Sequence, residues 1–197
     1  WNIDFQAGKS EVIPELGDNF FRIRNIKENL SALLTDDTFD LDSITIAAFA
    51  SPEGSVGTNN ALSERRAESV ARYFSRYVRH VQDSISRESG YSLTIGDDMS
   101  ETFSEEDPRL REISFHTSPS GENWELLDYL VERDTTMNIA QKRRYSELSV
   151  VKDRDLREMR LREESCYAHI RDELYPLLRT VRFNFFLHRK GMVKDTV

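Results

Sequence analysis

The chain is poor in the features that most quickly betray a function. It has one cysteine, Cys166, so no disulfide can form within it and cysteine pairing says nothing of its compartment. Placed in a helical stretch between Glu164 and Ile170, that thiol reads as a small core residue and not as a nucleophile. No apolar run approaches the ~20 residues of a membrane-spanning helix. The four histidines, His80, His116, His169 and His188, lie far apart with no H-x-x-x-H or Cys/His pairing, so no metal site is expected. No G-x-S-x-G, P-loop or dinucleotide fingerprint occurs, so neither an enzyme nor a cofactor is expected. No segment repeats at a fixed period, and none is low in complexity. The chain opens at Trp1 without an initiator methionine or a signal peptide, and is expected to be a mature fragment or a domain of a longer protein.

What is present is a chain of 197 residues, 38% hydrophobic and 31% charged. That suits one domain with a real core and a heavily solvated surface, or one domain with a large insertion. The net charge of −8 argues against nucleic acid as a partner, because phosphate contacts need a concentrated basic face. The local basic runs Lys142-Arg143-Arg144 and Arg154 to Arg162 sit among Glu147, Asp153, Asp155 and Glu158, as solvated helix faces do.

In chain order, Ile3-Asp4-Phe5-Gln6 reads as a short first strand ended by Gly8. Pro14 and Asp18 set up a helix carrying Phe20, Ile23, Ile26, Leu30, Leu33 and Leu34 at helical spacing. The segment Ser43 to Ala50 alternates in period two, as a buried strand does, and a second helix is expected from about Asn60 to Arg79. Tyr91 to Ile95 is a weak strand candidate, and Asp97 to Asp107, with six acids and no base, reads as a solvated loop. Arg111 to Thr117, with Ile113 and Phe115 alternating, is the better strand. A helical region opens at Glu122 with Trp124, Leu127, Tyr129, Leu130 and Val131 on its apolar side, and further helices fill 138–174. Asp153 is expected to cap one of them, and Pro176 to close the region. Val181, Phe183, Phe185 and Leu187 mark a last strand, apolar enough on both faces to be central or covered. The expected fold is α/β, an α+β sandwich in the order β-α-β-α-β-(α insertion)-β. It has a mixed sheet of about four strands covered by helices, a loop-rich insertion near 80–110 and a helical insertion near 122–175.

The corner between the Ser43–Ala50 strand and the second helix is where function is expected. Ligands of open α/β sheets sit beyond the carboxyl ends of strands, where loops and helix N-termini converge. The loop carries Gly54 and Gly57, and Asn59 and Asn60 are expected at the helix N-cap. Leu62, Arg66, Val70 and Phe74 recur every four residues, so Arg66 falls on the apolar stripe of its own helix. A guanidinium there is desolvated on one side and needs an anionic or polar partner.

The run Asn59-x-x-Leu62-Ser63-x-Arg65-Arg66-Ala67-x-x-Val70 resembles the helix motif of the OmpA-like peptidoglycan-binding domain. Phe5-x-x-Gly8-Lys9-Ser10-x-Val12-Ile13-Pro14 is similar to that family's first strand and turn, and Gly121-Glu122 to the Gly-Glu after its third strand. The resemblance covers roughly 1–79, 111–122 and 178–190. Ser51-Pro52-Glu53-Gly54 and Tyr175-Pro176-x-x-Arg179 look like the outer-membrane-associated members of Bacteroidetes-type bacteria. The resemblance implies a periplasmic, cell-envelope module that binds the diaminopimelate residue of a peptidoglycan stem peptide. An aspartate at the end of the second strand takes the ammonium, and an arginine matched here by Arg66 takes the carboxylate. Asn59 matches a polar residue lining the pocket. The aspartate position is held by Ser51, which accepts a hydrogen bond but carries no charge, at a cost of about 1.5–3 kcal/mol. Glu53 is the only acid in the loop and the candidate replacement. Two expectations follow: a stem-peptide binder that uses Arg66, Ser51, Glu53 and Asn59, or a degenerate scaffold acting as a structural or protein-interaction module toward other envelope proteins. In the second, Arg66 is buried against backbone carbonyls or Glu53.

Overall fold

The computed structural model describes residues 3–90 and 112–190, with side chains described as far as 87 in the first span. The weak strand at 91–95 and the acidic run at 97–107 lie outside the described residues. The elements are α1 (Asn19–Leu34), β1 (Phe39–Ala50), α2 (Val56–Gly90), β2 (Ser114–Glu122), α3 (Trp124–Arg133), α4 (Ile139–Ser149), α5 (Arg154–Leu161), α6 (Tyr167–His169), α7 (Tyr175–Leu178) and β3 (Val181–Arg189). The mixed α+β architecture is the expected one, with three strands among the described residues where about four were expected.

The sheet order is β2-β1-β3, with β1 parallel to β2 and antiparallel to β3. Period-two alternation aims Ile44, Ile46 and Ala48 of β1 at the helices, where they meet Ile23, Ile26 and Leu30 of α1 and Val70, Phe74 and Val78 of α2. Phe183 of β3 closes this core with its ring edge-on to Phe74 at 5.3 Å. Among the described residues β3 lies at an edge of the sheet and not at its centre, and Phe186 on it is 52% exposed.

The expected first strand is the clearest correction. Ile3 and Phe5 are buried in the core, but no ladder forms there. Buried Asn19 takes the place of a strand partner: its Oδ1 accepts from the Asp4 amide at 2.7 Å, and its Nδ2 donates to the carbonyls of Asp4 and Ile13 at 2.9 and 2.8 Å. Backbone groups that leave water must be paired, and one amide side chain satisfies three of them here. Asp18 stands at the N-cap of α1 without a capping bond, its carboxylate turned instead to Arg22 at 3.3 Å. Phe20, expected on the apolar stripe of α1, is exposed.

The insertion between β2 and β3 builds a second core from Trp124, Leu127, Val131, Leu148, Leu161, Ile170 and Tyr175, with Cys166 buried in it as expected. Asp153 caps α5 by accepting from Leu156 N at 3.0 Å, and Asn138 and Gln141 form a reciprocal capping box on α4. Pro176 does not close the helical region; it lies in the first turn of α7. The preceding turns, Ile170–Leu174, widen to π-helical pairing. A proline lacks the amide that would continue the α ladder, and a wider turn accommodates that gap.

Candidate functional site

The corner beyond β1 forms where the sequence places it, but α2 starts earlier than expected. Ser55, not Asn59, caps it: its Oγ accepts from the Thr58 amide at 3.3 Å, and its carbonyl takes the Asn59 amide at 2.9 Å. The Val56 amide, which a free helix would leave open, donates to Asp155 Oδ1 of α5 at 2.9 Å. Helix N-termini attract anions, and this one holds a carboxylate supplied by the insertion.

Leu62, Arg66, Val70 and Phe74 form one buried stripe, as the spacing requires. Arg66 is 1% exposed and meets no carboxylate within ion-pair distance among the described residues. Its Nε donates to the Lys9 carbonyl at 3.0 Å, Nη1 to that of Phe49 at 3.1 Å and Nη2 to that of Gln6 at 3.3 Å. The guanidinium also lies 4.9 Å from the Phe5 ring centroid. One side chain thus ties the 3–9 segment to the end of β1. Burial pulls its pKa down to about 10, and the charges of Arg179 and Arg65 add to that effect.

Glu53 does not face Arg66. Its Oε2 accepts from Arg179 Nη2 at 2.8 Å and from Ser51 Oγ at 3.1 Å, while Arg179 Nε reaches Ser51 Oγ at 3.4 Å. Ser51 is buried and Glu53 half-buried. The loop is therefore held at two points by the segment between β2 and β3, by Asp155 on Val56 and by Arg179 on Ser51 and Glu53.

Asn59 is drawn into a different network. Its Nδ2 donates to Glu122 Oε1 at 2.7 Å, and Trp124 Nε1 donates to Glu122 Oε2 at 2.7 Å, so a buried carboxylate has both oxygens occupied. Gly121 precedes it with φ +65°, and its amide donates to Ser63 Oγ at 3.1 Å. The positive φ calls for glycine, and a Cβ there would lie 2.5 Å from Asn60 Oδ1, so the Asn60 side chain would have to turn aside. Trp124, beneath this network, is stacked by the Arg157 guanidinium at 4.1 Å and belongs to the second core, whereas Tyr129 is exposed under Arg133.

No protein-family model matches the chain, and no curated protein matches it. Function has to be read from the side chains. Of the four residues singled out in the sequence, the fold brings Ser51 and Glu53 into hydrogen-bonding contact and sends Arg66 and Asn59 to separate partners. Sequence reasoning passed over Glu122 as an acceptor, Asp155 as a cap and Arg179 as the partner of Glu53. Glu122 and Arg179 stand in motifs already quoted; nothing in the sequence marks Asp155.

Proposed function

We propose that this chain is a non-catalytic, OmpA-like module of the cell envelope, periplasmic and outer-membrane-associated, that acts as a structural or protein-interaction scaffold. In this reading it does not clasp the diaminopimelate of a peptidoglycan stem peptide. The observation that carries it is the state of Arg66. Each of its three nitrogens donates to a backbone carbonyl, of Lys9, Phe49 and Gln6, and the Phe5 ring lies against its face. A ligand carboxylate would have to displace contacts that hold the 3–9 segment in place. The acid needed for an ammonium, Glu53, is neutralised by Arg179. The OmpA-like scaffold is supported by the mixed sheet backed by α1 and α2, and by the placement of Gly121-Glu122 against Asn59 and Ser63.

One observation favours the stem-peptide reading. The Arg66 guanidinium is buried with no carboxylate in ion-pair distance among the described residues, and burial first, then the charges of Arg179 and Arg65, pull its pKa down, so a ligand carboxylate would supply the counter-charge it lacks. Co-sedimentation with purified sacculi decides between the two. The scaffold reading expects wild type to be retained no better than an unrelated acidic protein, with Arg66→Lys and Glu53→Gln unchanged. Saturable retention of wild type that is lost in a folded Arg66→Lys variant would establish the clasp.

A further inference from the structure

A cleft lies beyond the carboxyl ends of the parallel strands β1 and β2, on the side of α3. Asn123, the first residue past β2, donates its amide to the carbonyl of Ala50, the last residue of β1, at 3.1 Å. The Thr180 carbonyl, just before β3, accepts the Phe49 amide at 2.9 Å. The start of β3 and the first turns of α3 therefore meet where the two parallel strands end. Asn123, Thr180 and Val181 of this junction enclose, with Leu126 and Tyr129 of α3, an open cleft of about 410 Å³. Open α/β sheets hold their ligands at this edge, and the volume suits a small molecule.

The two charged residues of the cleft come from different elements, and the fold does not use their charges. Glu125 of α3 and Arg182 of β3 both line it, and both are exposed. Among the described residues Glu125 has no hydrogen-bond or ion-pair partner and Arg182 meets no carboxylate, so the two do not pair with one another. The Arg182 guanidinium is held instead 5.6 Å from the Phe49 ring centroid. The neutral polar groups beside them are committed: Asn123 caps α3 through its Oδ1 and donates from Nδ2 to Thr180 Oγ1 at 3.4 Å. So are the neighbouring acids, Glu122 to Asn59 and Trp124, and Asp128 to Tyr145 and Arg157. Glu132 lines a different hollow, between α3 and α4. Tyr129, with the Arg133 guanidinium 4.3 Å from its ring centroid, stays 50% exposed.

We infer that this cleft binds a small zwitterion, a free amino acid or dipeptide with an apolar side chain, whose carboxylate pairs with Arg182 and whose ammonium pairs with Glu125. The planar fork of an arginine suits a carboxylate, and an unpaired carboxylate suits an ammonium. Two unpaired charges of opposite sign lining one cleft favour a ligand that carries both signs. A simple anion would be opposed by Glu125, and a simple cation by Arg182. Leu126, Val181 and the Tyr129 ring give the ligand side chain its apolar contact. The cleft shares no residue with the Arg66 corner, and the proposal does not depend on the state of Arg66.

The test is titration of the isotopically labelled 197-residue chain with L-leucine and with leucyl-leucine, followed by amide chemical shifts. At least one should bind saturably, with a Kd of about 1 mM, and shift the amides of Glu125, Leu126, Tyr129, Val181 and Arg182. Acetylating the ligand removes its ammonium and amidating it removes its carboxylate, and each should weaken binding about fivefold. Arg182→Gln and Glu125→Gln, both at exposed positions, should weaken binding to a similar extent with an unchanged circular dichroism spectrum. Arg182→Gln should bind the free acid and the amide alike, and Glu125→Gln the free amine and the acetylated ligand alike. The proposal is overturned if neither ligand gives a saturable shift up to about twenty times the expected Kd, or if the shifts fall on residues 51–66 instead. It is equally overturned if the singly charged ligands bind wild type, or the two variants bind the zwitterion, as tightly as wild type binds the zwitterion.

Discussion

Replacing Arg66 by lysine or methionine probes the corner at its centre. Lysine keeps the charge but offers one ammonium where three carbonyls wait, and methionine keeps the length without any donor. Each charged hydrogen bond to a carbonyl is worth about 1.5–3 kcal/mol when its loss leaves a buried acceptor unpaired. The three contacts share one side chain and are not additive, so Arg66→Met should cost about 3–5 kcal/mol, near the cost of breaking a buried charged network. Arg66→Lys should lose about half of that, since a point charge cannot reproduce the planar fork. Against a typical domain stability of about 5–15 kcal/mol, either loss is easily measured. Urea denaturation followed by circular dichroism gives the totals, and hydrogen exchange locates them. The amides of residues 3–9 and Phe49 should lose protection first, because Arg66 binds the carbonyls of Gln6, Lys9 and Phe49. A change below about 1 kcal/mol for Arg66→Met would refute the structural role of this arginine.

Further expectations follow from the neighbouring contacts. Gly121→Ala forces a positive φ on an L-residue and drives its Cβ against Asn60, and should cost about 1–3 kcal/mol in chemical denaturation. Asn60→Ala should recover only the clash, leaving the backbone strain. Asp155→Asn removes the charge at the N-terminus of α2, where Val56 donates to it, and should cost about 0.5–1 kcal/mol with faster amide exchange at Val56. Glu158 is raised above its ordinary value of 4.5 by burial, although hydrogen bonds from Tyr175, Tyr167 and Arg162 pull the other way. A raised folded pKa means that the native state holds the proton more tightly. Its contribution to stability is therefore complete below the unfolded value and declines as pH rises through the folded one. Glu158→Gln should remove that component from stability measured against pH, and an unchanged difference between wild type and variant across the window would contradict it.

Much of the fold was legible because periodicity reports burial directly. The stripe Leu62-Arg66-Val70-Phe74 and the alternation in β1 needed only helical and strand periods to be read. The first strand failed because Ile3 and Phe5 alternate as strand residues do whether their backbone is paired by a strand or by a side chain. The partner, Asn19, looks like any polar residue at a helix start. β3 failed differently: its apolar faces suggested cover, yet among the described residues it lies at an edge of the sheet, with Phe186 exposed. The unusual burial of Arg66 was visible in its spacing, and backbone carbonyls were one of the two partners expected of it, but which carbonyls was not legible, since a carbonyl carries no sequence signal. The link from Glu53 to Arg179 spans 126 residues and depends on the way the insertion returns to the corner.

The most direct test of the internal role of Arg66 is the Arg66 Nε–H resonance in isotopically labelled protein, followed while a diaminopimelate-containing stem peptide is added in excess. A proton bonded to the Lys9 carbonyl at 3.0 Å inside the fold should exchange slowly with water and stay unshifted throughout the addition. A fast-exchanging signal, or a saturable shift as stem peptide is added, would show that this arginine is available to a ligand and would contradict the account.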